Sequence, residues 1–304
     1  MTMIIDKKPP LGAALYVPAT HPDLAAIMQG DKLPHIKELI ICTEDSVAEH
    51  ELPHAIANLK AALDSFVPSA ESTRHLFLRP RHPAILHELL QHPKALKTFS
   101  GVALPKFTEN NLPLWRPELP RTTANGHPFW LMPILETVDV FSPSQMEKLA
   151  HALQPLAKQI LTLRIGGNDL LALLNIRRPR GCTLYETALG HTIAQLSTCF
   201  IPKGFALSAA VFEYLDDPET LAREVQSDLH YGLTGKTAIH PEQIALIEQH
   251  YAVSEADLRA AQAILNPEAS GVFRLDGAMC EPATHRAWAE KMRRHARFFG
   301  VRTN

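Results

Sequence analysis

Short apolar runs of strand length alternate along the chain with longer amphipathic stretches. The runs fall at 13–17, 39–42, 75–78, 101–104, 129–135, 160–165, 205–209 and 237–239. Most are followed by a polar turn and then by a stretch with apolar residues at helical spacing: 22–29, 51–66, 83–90, 143–157, 185–198, 218–231 and 241–249. Proline follows His21, His82, Ser142, Asp217 and His240. There it is expected to occupy a first helical position, where its missing N–H leaves no bond unmade. Near-continuous apolar runs suit strands buried on both faces of a parallel sheet. Their alternation with helices predicts βαβ units, and eight of them predict closure into a (β/α)8 TIM barrel. An open doubly wound sheet is the rival fold. It calls for a glycine-rich turn after the first strand, and Val17-Pro18-Ala19-Thr20 is not one. The fourth unit is the weakest, because 108–121 is proline-rich and offers no good helix.

Residues 1–253 therefore read as the barrel and 254–304 as a C-terminal helical extension. In the extension Ser254 and Asp257 form a capping pair for a helix at 255–265. A turn or short strand at 271–277 and a long basic helix at 284–299 follow. The extension reads either as a cap packed on the barrel or as an arm that completes a neighbouring subunit's site.

Composition narrows the function. Of 304 residues, 30 are Lys or Arg and 32 are Asp or Glu, a formal charge of -2, which excludes a nucleic-acid binder working through bulk positive charge. No apolar run approaches the ~20 residues of a membrane span. The opening MTMIIDKKPP places its charges after an apolar stub, the wrong order for a secretory signal. Cys42, Cys182, Cys199 and Cys280 are scattered without a CxxC and read as reduced thiols of a cytoplasmic protein. Glycine-rich phosphate cradles, HExxH and GxSxG are missing, so kinase, metalloprotease and serine hydrolase readings have no support.

In a TIM barrel the chemistry sits where strands end and loops begin. The polar residues expected there are Glu44 and Asp45, Arg79 and Arg81, Lys106, Glu136, Asn168 and Asp169, and His240. Isolated carboxylates with an arginine, and no cysteine or histidine cluster, suit a hard divalent cation such as Mg2+. Such a set also suits breaking a carbon–carbon bond next to a carboxylate or carbonyl. The carbanion is tolerable only as an enolate, whose oxygen a cation and a guanidinium stabilise. Lys106 after its strand either joins the site or faces solvent, and His240 before Pro241 is expected to make a structural hydrogen bond. Arg164 lies inside the sixth strand, where an unpaired charge is costly; it is either paired near the barrel end or part of the site. Arg177, Arg178 and Arg180 read as a solvated basic loop, the alternative being a phosphate or diphosphate contact.

The order of these pieces resembles the citrate lyase beta-subunit-like family of carbon–carbon bond lyases, kin to the HpcH/HpaI aldolases, along nearly the whole chain. The segments are GAALYVPAT at 12–20, CTEDSV at 42–47, LRPR at 78–81 and VALPK at 102–106. PILET at 133–137, IGGNDL at 165–170, GKTAIHP at 235–241 and LDGAM at 275–279 complete the set. LRIGGNDLLALL and DGAMCEPATHR look like the branch found beside tellurite-resistance genes. The resemblance implies Glu136 and Asp169 as ligands of Mg2+ or Mn2+, and Arg79 as the holder of the substrate carboxylate and the enolate oxygen. It implies Glu44 and Asp45 as the acidic pair binding metal waters; Lys106, Gly167 and Asn168 are expected as further substrate contacts. Glu281 stands where relatives that use coenzyme A place an aspartate from a neighbour's C-terminal arm, and the acid often found after strand seven is replaced near Ala209. The proton-transferring base remains open among Glu44, Asp45, Glu281 and a metal-bound water.

The expected function is a Mg2+-dependent lyase or aldolase acting on a small hydroxy acid or its coenzyme A thioester. The expected setting is a cytoplasmic homo-oligomer, a trimer, with neither nucleic acid nor membrane as partner. The competing expectation is a non-catalytic, metabolite-sensing barrel in a stress-response system of the tellurite-resistance type.

Overall fold

The computed structural model describes residues 8–9, 11–68 and 73–303. The N-terminal segment read for a secretory signal lies largely outside them. The chain divides into two compact units, Met1–Ile244 and Ala245–Asn304. The division falls within the helix Pro241–Tyr251, where the sequence reading placed it between 253 and 254.

The first unit is built on eight strands: β1 (Ala13–Pro18), β2 (Glu38–Cys42), β3 (His75–Arg79), β4 (Gly101–Leu104), β5 (Trp130–Leu135), β6 (Leu163–Ile165), β7 (Leu207–Ser208) and β8 (Lys236–Ala238). From β1 to β7 each strand pairs in parallel with the next, and β8 pairs with β1. The last gap, between β7 and β8, is joined by a parallel bridge from Ala209 to Lys236, with the Ala209 amide donating to Gly235 O at 2.9 Å. The sheet therefore closes, as the eightfold alternation predicted.

The interior is filled by Ala14, Ile40, Phe77, Ala103, Trp130, Met132, Ile134 and Leu161, with Tyr16 partly buried against them. Burying a side chain of the Phe or Ile class stabilises the fold by roughly 1.5–3 kcal/mol. Gly101 explains how β4 fits so closely beside β5: a Cβ there would lie 2.1 Å from Trp130 O. Helices Pro83–Leu90, Pro143–Leu153 and Pro218–His230 begin with proline, as expected. The first helix instead begins at Leu24, two residues after Pro22. After β4 only a single turn, Leu112–Trp115, and a 3-10 turn, Arg116–Glu118, form. Pro117 cannot supply the N–H that a longer helix needs there.

The second unit has its own small core of Ala261, Ile264, Cys280 and Ala289, lined by Leu265, Phe273, Leu275 and Met292. Ser254 caps the helix Glu255–Leu265, its Oγ accepting from the Asp257 amide at 3.0 Å, as the sequence indicated. Phe273–Leu275 and Ala278–Cys280 form a hairpin. Its two-residue turn is Asp276-Gly277, both with left-handed φ, as a tight primed turn requires. The helix Pro282–Phe299 follows.

Candidate active site at the carboxyl ends of the strands

Six of the expected side chains converge at the carboxyl ends of β2 to β6. Arg79 is the last residue of β3 and is only 9% exposed. Its Nη2 pairs with Glu44 Oε2 at 2.6 Å and donates to Asp45 Oδ2 at 2.8 Å and to Glu136 Oε1 at 3.4 Å. Lys106 closes the cluster from the other side. Its Nζ lies 2.7 Å from Glu44 Oε1, 3.1 Å from Asp45 Oδ1 and 3.5 Å from Asp169 Oδ1. Arg79 and Lys106 thus face four carboxylates.

Local backbone geometry sets these positions. Lys106 has φ 48, a left-handed conformation that costs a non-glycine residue of order 1 kcal/mol. That turn points its amide at Glu136 Oε1, 2.7 Å away, and its carbonyl accepts from Asn111 Nδ2 at 2.8 Å. Glu136 follows the last residue of β5 and is buried. It leans on Gly166, where a Cβ would lie 2.4 Å from Glu136 Oε2. The bare glycine thus makes the cradle in which the carboxylate lies. Asp169 sits in the first turn of the helix Gly167–Leu173 that follows β6.

The electrostatics follow from this crowding. Burial pushes the Glu136 carboxyl up to about 7; Arg79 opposes the shift and the Asp169 charge adds to it. Burial also raises Glu44, despite its short pair with Arg79. Burial opposes the charge of Asp45, but contact with Glu44 and Arg79 holds it below the usual carboxylate range. Burial likewise works against the charges of Lys106 and Arg79, yet both are held well above their ordinary values. Bonds to Glu44 and Asp45 sustain Lys106, and Tyr16 and Glu136 sustain Arg79.

The donor set fits a hard divalent ion. Glu136 Oε1 is taken by the Lys106 amide and Arg79, whereas among the described residues no donor reaches Oε2. Among the described residues Asp169 is touched only through Oδ1. Each carboxylate therefore keeps one oxygen for a ligand. Among the described residues no group of three His, Cys, Asp or Glu gathers for a metal. That leaves a two-carboxylate site of the kind that suits Mg2+, which keeps much of its water. Glu136 and Asp169 would hold the ion.

These groups open into one cavity of about 480 Å³, lined by Tyr16, Asp45, Arg79, Glu136, Arg164 and Asp169 among others. Gly167 and Asn168 also line it, where the sequence expected substrate contacts. Ile134, Ile165, Val211 and Ile239 supply apolar wall. Tyr16 and Thr237 are cavity residues that the sequence reading passed over. Both lie on strands, Tyr16 on β1 and Thr237 on β8, and not in the polar turns beyond the strand ends.

Three other expected residues have local partners of their own. Glu281 belongs to the second unit, at the N-cap of its long helix, where its Oε2 accepts from Thr284 Oγ1 at 2.9 Å. His240 does make a local bond, its Nδ1 accepting from the Glu242 amide at 3.4 Å. Arg178 corrects the reading of a solvated basic loop. It is 2% exposed and pairs with Glu224 and, at 2.7 Å, with Glu213 Oε2. Glu224 in turn holds Lys236 Nζ at 2.8 Å, which also contacts Asp228 Oδ2 at 3.0 Å.

Comparison with known proteins bears on the family and the fold. A family model described as the C–C bond lyase of the TIM-barrel fold matches residues 6–301. A citrate lyase subunit beta-like protein of Deinococcus radiodurans is 36% identical over 75 residues, 25% of this chain and 26% of that protein. The mitochondrial citramalyl-CoA lyase of Homo sapiens is 27% identical over 124 residues, 38% of this chain and 35% of that protein. The matched segments thus span a quarter to just over a third of these relatives. The crystal structure of CitE from Mycobacterium tuberculosis in complex with magnesium, acetoacetate and coenzyme A has the same fold. It gives a TM-score of 0.68 at 21% identity, covering 94% of this chain and 98% of that one. RipC from Yersinia pestis gives 0.60 at 20% identity, covering 82% and 98%. With the family model spanning nearly its whole length, and eight parallel strands closed into a barrel, this chain belongs to the C–C bond lyases of the TIM-barrel fold.

Proposed function

We propose that the chain is a carbon–carbon bond lyase or aldolase, using Mg2+ or Mn2+, that acts on a small hydroxy acid or its coenzyme A thioester through an enolate. The observation that carries the reading is that Glu136, Asp169 and Arg79 open together into one cavity of about 480 Å³. The names of the relatives, a citrate lyase subunit beta-like protein and a citramalyl-CoA lyase, support the same class.

A bound divalent cation supplies Lewis-acid polarisation of a substrate oxygen. The chain's own residues do the rest. The guanidinium of Arg79 offers a planar fork matched to a carboxylate, and its Nε is buried without an acceptor. It is placed to stabilise oxygen charge as the carbon–carbon bond breaks. In that step the hydroxyl proton leaves to a base and the carbon–oxygen bond becomes a carbonyl. The electron pair of the carbon–carbon bond passes into the enolate, whose carbon then takes a proton. Asp45 has a half-exposed side chain on the cavity wall beside Arg79, a position from which it can accept the hydroxyl proton. Glu44, buried behind it, ties both cations in place.

This reading carries a cytoplasmic setting, consistent with four free cysteines, and a homotrimer. It also places the chain in the tellurite-associated branch. Among the described residues no helix is long and apolar enough to cross a membrane. The test is incubation with Mg2+ and a panel of hydroxy acids and thioesters, assayed for pyruvate, glyoxylate and acetyl-coenzyme A. Turnover that falls about 100-fold or more in Arg79→Ala supports the lyase, in line with the loss of one oxyanion donor. Tight binding without turnover would instead make the barrel a metabolite sensor.

A further inference from the structure

Among the described residues, every fully buried Lys or Arg of the barrel but one has a carboxylate partner. Arg79 pairs with Glu44, Arg178 with Glu224 and Glu213, and Lys236 with Glu224 and Asp228. Arg164 on β6 is the exception. It is 2% exposed, and among the described residues no carboxylate lies within 4.0 Å of its guanidinium. Its Nη2 donates to Thr237 Oγ1 at 2.6 Å, its Nη1 meets only the Met132 thioether at 3.9 Å, and its Nε is buried with no acceptor. Burying a guanidinium without a counter-charge is unfavourable, and a hydroxyl and a thioether do not offset it.

The group is not sealed in the core, because Arg164 and Thr237 both line the cavity that Arg79, Glu136 and Asp169 line. Tyr16 links the two arginines. Its ring centroid is 5.7 Å from the Arg79 guanidinium carbon and 5.6 Å from that of Arg164. One small molecule in this cavity therefore meets two guanidiniums. One stands at the proposed cation site; the other stands across the Tyr16 ring with free donors.

We infer that Arg164 is a second anion subsite, and that the substrate is a small dicarboxylate, a hydroxy or keto acid with a carboxylate at each end. The inference rests on the lyase reading for the role of Arg79 and adds the substrate class. A thioester with a single carboxylate would satisfy Arg79 and leave Arg164 without its counter-charge. Thr237 is a positioning residue that orients the guanidinium through Nη2 and leaves Nη1 and Nε for the ligand.

The test is calorimetric titration of the full chain with oxaloacetate, a dicarboxylate, and with pyruvate, a monocarboxylate, each with and without Mg2+. The wild-type chain should bind oxaloacetate at least tenfold more tightly than pyruvate. Arg164→Met should bring the ratio close to one by weakening oxaloacetate alone. Thr237→Val should lower the ratio about threefold, and it decides the matter should Arg164→Met fail to fold. A wild-type ratio near one, or a ratio retained in the variants, overturns the subsite. The Mg2+ dependence of pyruvate binding reports separately on the lyase reading. If that dependence is lost while the dicarboxylate preference stays sensitive to Arg164, the subsite stands and the metal-dependent lyase does not.

Discussion

The Lys106 amide donates to Glu136 Oε1 at 2.7 Å from a left-handed backbone, while the same residue's ammonium holds Glu44 at 2.7 Å. One residue thus positions a candidate metal ligand with its main chain and the acidic pair with its side chain. Glycine at 106 would keep the amide and adopt the positive φ without strain. Lys106→Gly should therefore keep Mg2+ affinity within about threefold. Lys106→Pro removes the donor and forbids the conformation, and should lower both Mg2+ affinity, by tenfold or more, and stability, by about 2 kcal/mol or more. Titration calorimetry and urea unfolding of the two variants check this.

Gly166 has φ -89, which any residue can adopt, so its requirement is space and not conformation. Its missing Cβ makes room for Glu136, whose Cβ and Oε2 would each lie 2.4 Å from it. Gly166→Ala should displace the carboxylate, weaken Mg2+ binding at least tenfold and cost about 1–3 kcal/mol of stability through overpacking. Thermal unfolding and Mg2+ titration of this single variant read both effects.

The buried group of Arg178, Lys236, Glu224 and Asp228 lies outside the cavity lining and has a structural consequence. Glu224 is the shared partner of both cations. Glu224→Ala would leave Lys236, fully buried on β8, with Asp228 alone. The expected loss is about 3–5 kcal/mol, the usual result of breaking a buried pair from one side. Urea denaturation measures it, and replacing Glu224 by Gln should recover part of the loss.

His295 in the second unit packs on Tyr251 and Phe299, with ring centroids 6.2 and 5.5 Å away. Burial, with Lys291 and Arg294 nearby, lowers its pKa to about 4, against a bond to the Tyr251 backbone that raises it. The unfolded chain takes up this proton near pH 6.5 and the folded chain only near pH 4. The stability linked to this group is therefore full above pH 6.5 and falls as pH drops towards 4, by up to about 3 kcal/mol. The melting midpoint followed between pH 7 and 4 should fall less steeply in His295→Phe than in the wild-type chain.

Much of the barrel was legible because buried parallel strands leave near-continuous apolar runs, and all eight runs overlap the observed strands. The site was legible for the same reason, since Glu44, Arg79, Lys106, Glu136 and Asp169 all sit just where those runs stop. What stayed hidden depended on partners far away in the chain. Arg178 reads as loop until Glu224, 46 positions on, is seen to bury it. The two fates left open for Arg164 turn on whether a carboxylate from another strand reaches it, and no local pattern encodes that. Tyr16 and Thr237 carry no signal of their own, because an aromatic or hydroxyl residue inside a strand looks like ordinary packing.

The most direct test of the account is Mg2+ binding by calorimetry to the wild-type chain, Glu136→Gln and Asp169→Asn, with circular dichroism confirming that each is folded. The account predicts one Mg2+ site in the wild-type chain and its loss in both variants. Unchanged Mg2+ affinity in the two folded variants would contradict it.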